Sequence, residues 1–149
     1  MSNETHCEYA YIDLQETNYK QLVNYEILPK DTDPAPLLEI YRQYCLYKGF
    51  SSVWPIYAEE FSRELNDTIA YKDAGEIVAW SLIYRVSKDA VWNMQFAWNY
   101  ANPKLKLGYK SIRTEIAIYR DLGYKSMTID DDMKYKSELQ GYKLFGPMT

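Results

Sequence analysis

The run Asn102-Pro103-Lys104-Leu105-Lys106-Leu107-Gly108-Tyr109-Lys110-Ser111-Ile112-Arg113-Thr114-Glu115-Ile116 decides how this chain is read. Ahead of it, Ala90 to Trp98 alternates as a strand does. Behind it, Ile112, Ile116 and Tyr119 recur at helical spacing, which predicts a helix from about Tyr109 to Leu122 with Gly123 just past its end. The order is strand, glycine-bearing loop, helix start. Such a junction turns free backbone N–H groups and the positive end of a helix dipole toward solvent, where an anion such as a phosphate binds. An ordinary strand-to-helix turn also needs one glycine, so on local pattern both readings stand. The candidate cofactor-binding group is Leu107, Gly108, Tyr109, Lys110 and Ser111.

Charge is unevenly spread. The net charge is -4, but residues 1–101 hold 8 Lys/Arg against 15 Asp/Glu, while residues 102–149 hold 9 against 6. Lys104, Lys106, Lys110, Arg113, Arg120 and Lys125 cluster around the candidate loop, opposed only by Glu115 and Asp121. That balance suits an anionic ligand, and a solvated helix face accounts for it as well.

The segment Leu105-Lys106-Leu107-Gly108, followed by Ser111 and Glu115-Ile116, resembles part of the C-terminal domain of arginyl-tRNA–protein transferases. Leu122-Gly123-Tyr124 and Met133-Lys134-Tyr135-Lys136 extend the resemblance over the last third of the chain, and Gly141-Tyr142 is similar to the Gly-Phe/Tyr near the end of GNAT acyltransferases. The resemblance implies a GNAT-like α/β (α+β) fold over residues 1–149 as a single acyltransferase domain. In that fold a mixed, mostly antiparallel sheet is flanked by helices on both faces. It further implies a transferase that moves an acyl or aminoacyl group to an amine. The donor would be acetyl-CoA, another acyl-CoA or an aminoacyl-tRNA, with no tightly bound cofactor. The acceptor would be an amine-bearing small molecule or a protein N-terminus. In the family a tyrosine on the last helix often acts as general acid; here Ser137 stands four residues before Gly141, and Tyr135 within Met-Lys-Tyr-Lys becomes the catalytic candidate.

Two departures qualify that expectation. Acetyl-CoA-binding GNATs carry Gln/Arg-x-x-Gly-x-Gly/Ala in the loop, whereas the frame around Gly108 has Leu105 first and Lys110 last, and a lysine there crowds a pyrophosphate. With only Cys7 and Cys45 present, the cysteine-rich N-terminal region of a full arginyl-transferase is not expected either. A binding module that keeps the fold without the donor loop, and a divergent acetyl-CoA-dependent N-acetyltransferase, are the alternatives. A net acidic chain with no recognisable RNA module gives tRNA weak support.

Composition bounds the remainder. In 149 residues, 47% are hydrophobic and 26% charged, as in soluble globular domains. Tyr is abundant, with 16 against 4 Phe, in line with either amphipathic pockets or a biased composition. Two cysteines 38 positions apart make no zinc or redox motif, and Cys45 on an apolar helix face reads as a buried thiol. The single histidine, His6, argues against a histidine metal site or a Ser-His-Asp triad. No apolar run is long enough to span a membrane, and the polar N-terminus is unlike a signal peptide, so a cytoplasmic protein is expected.

Along the chain, strands are expected at Glu8–Leu14, more weakly at 22–28, and then at 68–71, 77–84, 90–98, 126–129 and 142–145. Helices are expected from Asp33-Pro34 to Gly49, after Trp54-Pro55 with Tyr57, Phe61 and Leu65 in line, and from about Met133 to Gln140. Alternation places Trp92, Met94, Phe96 and Trp98 on one face of their strand, and Asn93 and Gln95 on the other as candidate substrate-binding residues. Asp130-Asp131-Asp132 reads as a helix N-terminus rather than a metal site, because three consecutive carboxylates point apart. Glu115, near the start of its helix, suits the dipole. The strands at 90–98 and 126–129 are expected to diverge around a V-shaped gap that forms the main pocket.

Overall fold

The computed structural model describes residues 9–49, 57–129 and 137–145. Its centre is a seven-stranded sheet in the order β2-β3-β4-β5-β6-β1-β7. The strands are β1 (Tyr9–Asp13), β2 (Glu26–Ile27), β3 (Asn66–Asp73), β4 (Glu76–Arg85), β5 (Ala90–Trp98), β6 (Ser126–Thr128) and β7 (Tyr142–Phe145). All neighbouring pairs are antiparallel except β5–β6. Helix α1 (Ala35–Lys48) and helix α2 (Leu107–Asp121) lie on opposite faces. This is the mixed, mostly antiparallel sheet with helices on both faces that the sequence leads one to expect.

Each helix defines its own core. On the α1 side, Leu37, Ile40, Tyr41 and Cys45 pack on Ala70, Trp80, Leu82 and Ala97, and Cys45 is a buried free thiol. Trp80 anchors this layer: its indole N–H donates to the Leu37 carbonyl at 2.8 Å, and its ring meets Phe61 edge-on at 5.0 Å. Burying a side chain of that size contributes about 4–6 kcal/mol. On the α2 side, Ile112, Ile116 and Tyr119 pack on Ile69, Tyr71, Ala79, Ile83 and Val91.

Helix α1 starts as its sequence prescribes. The Asp33 carboxylate accepts the Ala35 N–H at 3.0 Å, and Gly49 ends the helix in the left-handed region at φ 70°. The helix expected around Tyr57, Phe61 and Leu65 is shortened, among the described residues, to a 3-10 turn at Ala58–Ser62, with Phe61 buried and Tyr57 and Leu65 exposed. Strand β3 begins at Asn66, and Arg63 is already extended, so too little chain is left for a second α-turn. The expected strand at 22–28 is reduced to β2. The expected helix at 133–140 and the Asp130–Asp132 run lie wholly or mostly outside the described residues.

Strand β5 departs from simple alternation. Leu82 is opposite Gln95 but Ile83 is opposite Asn93, so Met94 is an extra residue, a β-bulge. Paired residues share a face. Val91, Asn93, Phe96 and Trp98 therefore face α2, whereas Trp92, Gln95 and Ala97 face α1. Asn93 and Gln95 do not share a face, and Trp98 and Phe96 are parted from Trp92. A period of two carries no mark of a bulge.

Strand β1 comes first in the chain yet lies between β6 and β7, joined to both by antiparallel pairing. Gly141 makes this possible: it has φ 72°, and a Cβ there would stand 2.4 Å from the Asp13 carbonyl oxygen. Its own carbonyl accepts the Asp13 N–H at 2.8 Å. A side chain at this point would push β1 off the sheet.

Candidate functional site

Strands β5 and β6 run side by side for only three residues, with Ala90, Val91 and Trp92 facing Ser126, Met127 and Thr128. Strand β5 then continues to Trp98, paired on its other side with β4, while β6 ends at Thr128. From Asn93 onward the β6-side edge of β5 has no partner strand among the described residues. The expected V-shaped gap would lie beyond this short pairing. Two clefts lined by described residues lie elsewhere. One of about 650 Å³ is bounded by Glu60, Arg63, Asn66, Tyr84, Trp92 and Met94, and one of about 390 Å³ by Leu22, Asn24, Tyr71, Lys72, Leu105 and Leu107. Residues 130–136, Tyr135 among them, lie outside the described residues.

At the far end of β5 the chain passes through a 3-10 turn, Pro103–Leu105, and enters α2. Helix α2 begins two residues earlier than its apolar spacing suggests. The left-handed residue at the junction is Lys106, with φ 51° and ψ 46°; Gly108 is helical with no positive φ. The glycine does not lie in the loop as expected: Gly108 sits in the first turn of α2, and a Cβ there would meet nothing within 4 Å. No side chain caps this end. The Lys110 N–H bonds the Lys106 carbonyl at 2.9 Å and closes the first turn. The N–H groups of Leu107, Gly108 and Tyr109 are thus left outward, among Lys104, Lys106 and Lys110.

The five sequence candidates of this loop divide. The side chains of Leu107 and Ser111 are buried, Leu107 at the edge of the smaller cleft. Lys110 lies half-exposed on the helix surface. Tyr109 is exposed, and the Arg113 guanidinium lies 3.6 Å from its ring centroid, a cation–π stack.

Beneath α2 lies a polar cluster that the sequence did not single out. Glu115 is 1% exposed. Its Oε2 accepts the hydroxyl of Tyr71 from β3 and that of Ser81 from β4, the latter at 2.6 Å. Its Oε1 accepts the side-chain N–H of Asn93 from β5 at 2.7 Å. One turn further on, the Tyr119 hydroxyl donates to Asp67 at 2.8 Å, and Arg85 lies 3.4 Å from the same carboxylate. Burial, reinforced by the Glu115 charge, pushes the Tyr71 phenol well above its usual range. Burial, then Asp67, does the same to Tyr119. Reading Glu115 only as a dipole partner missed this cluster. Its three donors come from three strands, and only a pattern of polar residues on otherwise apolar strands (Ser81 between Trp80 and Leu82) hinted at it.

Comparison with known proteins places the fold. No protein-family model matches the sequence, and no curated protein matches it at the sequence level. Solved structures do match in shape. A GCN5-related N-acetyltransferase from Anabaena variabilis aligns at TM-score 0.63 and 11% identity, covering 93% of this chain and 38% of that one. The Saccharomyces cerevisiae N-myristoyltransferase with bound myristoyl-CoA aligns at TM-score 0.63 and 11% identity, covering 93% of this chain and 47% of that one. The L-PGS from Bacillus licheniformis aligns at TM-score 0.63 and 14% identity, over 82% and 45%. The chain has a GNAT-like fold and spans less than half the length of each of these proteins. An arginyltransferase relationship is not shown. Among the described residues no helix is long and apolar enough to cross a membrane.

Proposed function

We propose that the protein is a GNAT-type transferase that moves an acyl group from a coenzyme A thioester to an amine. The observation that carries this reading is the open β6-side edge of β5, which leads directly to an uncapped, lysine-flanked helix start. An extended donor laid along β5 would hydrogen-bond to the free edge, and its phosphates would meet the N–H groups of Leu107, Gly108 and Tyr109. A backbone N–H of β5 would polarise the thioester carbonyl, and the amine would attack it. The C–N bond forms, the C–S bond breaks, and the amine's proton ends on the leaving thiolate. In this reading Asn93 faces the amine, Tyr135 serves as general acid, and Ser111 supports the loop from inside the core. Gln95, on the α1 face, contacts the acceptor from the opposite side.

Low identity to the structural neighbours leaves the donor open, and the Leu105–Lys110 frame, without its second small residue, favours a non-catalytic relative as the second reading. An aminoacyl-tRNA donor would instead show binding that falls steeply with salt. The test is thermal denaturation with acetyl-CoA. A ligand at 100 times its Kd stabilises by about 2.7 kcal/mol, which for this chain length raises Tm by about 5–10 °C. Gly108→Glu should abolish that rise without unfolding the protein, since the site is open and an acidic residue suits a helix start. A wild type indifferent to acetyl-CoA, or a variant that responds as the wild type does, refutes the donor site. Release of free thiol in the presence of amines then separates the enzyme from the silent module.

A further inference from the structure

We infer that Glu115 is a positioning residue: it fixes the Asn93 amide so that the carbonyl oxygen, not the NH2 group, faces the open edge of β5. A carboxylate accepts hydrogen bonds and donates none, so the Asn93 atom 2.7 Å from Glu115 Oε1 is the nitrogen. The carboxylate cannot turn to relieve this, because Tyr71 and Ser81 hold its other oxygen. Glu115, Ser81 and Ile83, which flank Asn93 from α2 and β4, are buried at 1%, 0% and 0%, whereas Asn93 is half-buried. Asn93 also sits at the first position of β5 beyond its pairing with β6. No hydrogen bond from a described residue reaches Asn93 Oδ1.

The chemistry of that position follows. It offers an acceptor to whatever enters the gap, and it suits a ligand N–H, above all a primary amine or ammonium. A ligand carbonyl, carboxylate or phosphate meets a lone pair and is disfavoured. Freed from Glu115, the amide would flip and take either kind. The orientation stands on the geometry alone; that the donor N–H belongs to an acyl acceptor rests on the proposed function.

The test uses the full chain, 15N-labelled, with n-butylammonium and butyrate as probes of matched size and opposite hydrogen-bonding character. Saturable shifts of the Asn93 side-chain amide resonance, identified by its loss in Asn93→Leu, report binding. The wild type is expected to favour n-butylammonium by about tenfold or more, and Glu115→Gln, whose amide presents either end, to lose most of that preference. Should Glu115→Gln fail to fold, Ser81→Ala, which frees one side of the carboxylate, is expected to lower the preference by about two- to fivefold. Equal response to both probes in the wild type, or an undiminished preference in the Glu115 or Ser81 variant, overturns the inference. Acetyl-CoA is added to the same samples. Indifference to it with the amine preference intact refutes the acyl-transfer reading alone; a normal response with no amine preference refutes the positioning role alone.

Discussion

Replacing Glu115 by alanine removes the shared acceptor of Tyr71, Ser81 and Asn93 in one step. The consequences differ by site. Ser81 is 0% exposed and Tyr71 1%, so water does not replace the lost acceptor, whereas half-buried Asn93 can be rehydrated. Each orphaned buried donor costs about 1–3 kcal/mol. Tyr71 recovers part of its loss from the Ser111 carbonyl, 3.4 Å from its hydroxyl. The lost γ-methylene adds about 0.8 kcal/mol, and release of a buried charge offsets some of the total. The expected loss is about 3–5 kcal/mol, set mainly by the orphaned buried hydroxyls. Urea unfolding measures it as a lowered midpoint at constant slope, with Tm down by about 6–20 °C. Tyr71→Phe, which removes one donor and leaves the carboxylate Ser81 and Asn93, should cost only about 1–2 kcal/mol. A Glu115→Ala variant within 1 kcal/mol of wild type, or one less damaged than Tyr71→Phe, would show that the cluster is not what holds α2 to the sheet.

The other predictions concern backbone and titration. Gly141→Ala sets a Cβ against the Asp13 backbone at positive φ and should cost about 2–4 kcal/mol by urea unfolding; a loss below 1 would mean that β1 shifts freely. Gly108→Ala, in a helical and open position, should instead stabilise by about 0.5–1 kcal/mol, and destabilisation would contradict the assigned helix start. Tyr71 and Tyr119 both titrate higher folded than unfolded, so the stability they confer is fully present below the unfolded value and is lost as pH rises past it. Stability should fall above about pH 10 by up to roughly 2.7 kcal/mol per pH unit, and the Tyr71→Phe/Tyr119→Phe double variant should flatten that slope.

What was legible in the sequence was local. The strand–loop–helix unit, the Asp33 cap, the Gly49 stop and the alternating strands each follow from a period or a turn residue within a few positions. The bulge at Met94 was not legible, because it is defined by the partner strand: only the pairing of Leu82 and Ile83 with Gln95 and Asn93 reveals the extra residue. Glu115 was visible as a helix residue but not as a centre, since Tyr71, Ser81 and Asn93 meet it only once β3, β4 and β5 are aligned. The start of α2 was singled out for a partly mistaken reason. Gly108 drew attention to the loop, yet the left-handed turn that opens the helix is made by Lys106. Helix entry depended on the tight turn at Pro103–Leu105, which no periodicity announces.

Strand β1 poses a problem of timing. It is synthesised first, but both of its partners, β6 and β7, lie in the last quarter of the chain. At about 5–20 residues per second, the ribosome needs roughly 6–23 s after finishing β1 to reach β6. Throughout that wait Ala10 and Ile12, fully buried in the finished sheet, have no strand to pair with. The β3–β5 meander can form meanwhile from hairpins of low contact order, leaving its β5 edge open to a neighbouring nascent chain. The last act of folding is then insertion of the oldest segment between two of the newest. A chain emptied from the ribosome slowly should lose more material to aggregation than the same chain refolded whole from urea, where β1, β6 and β7 are present together from the start.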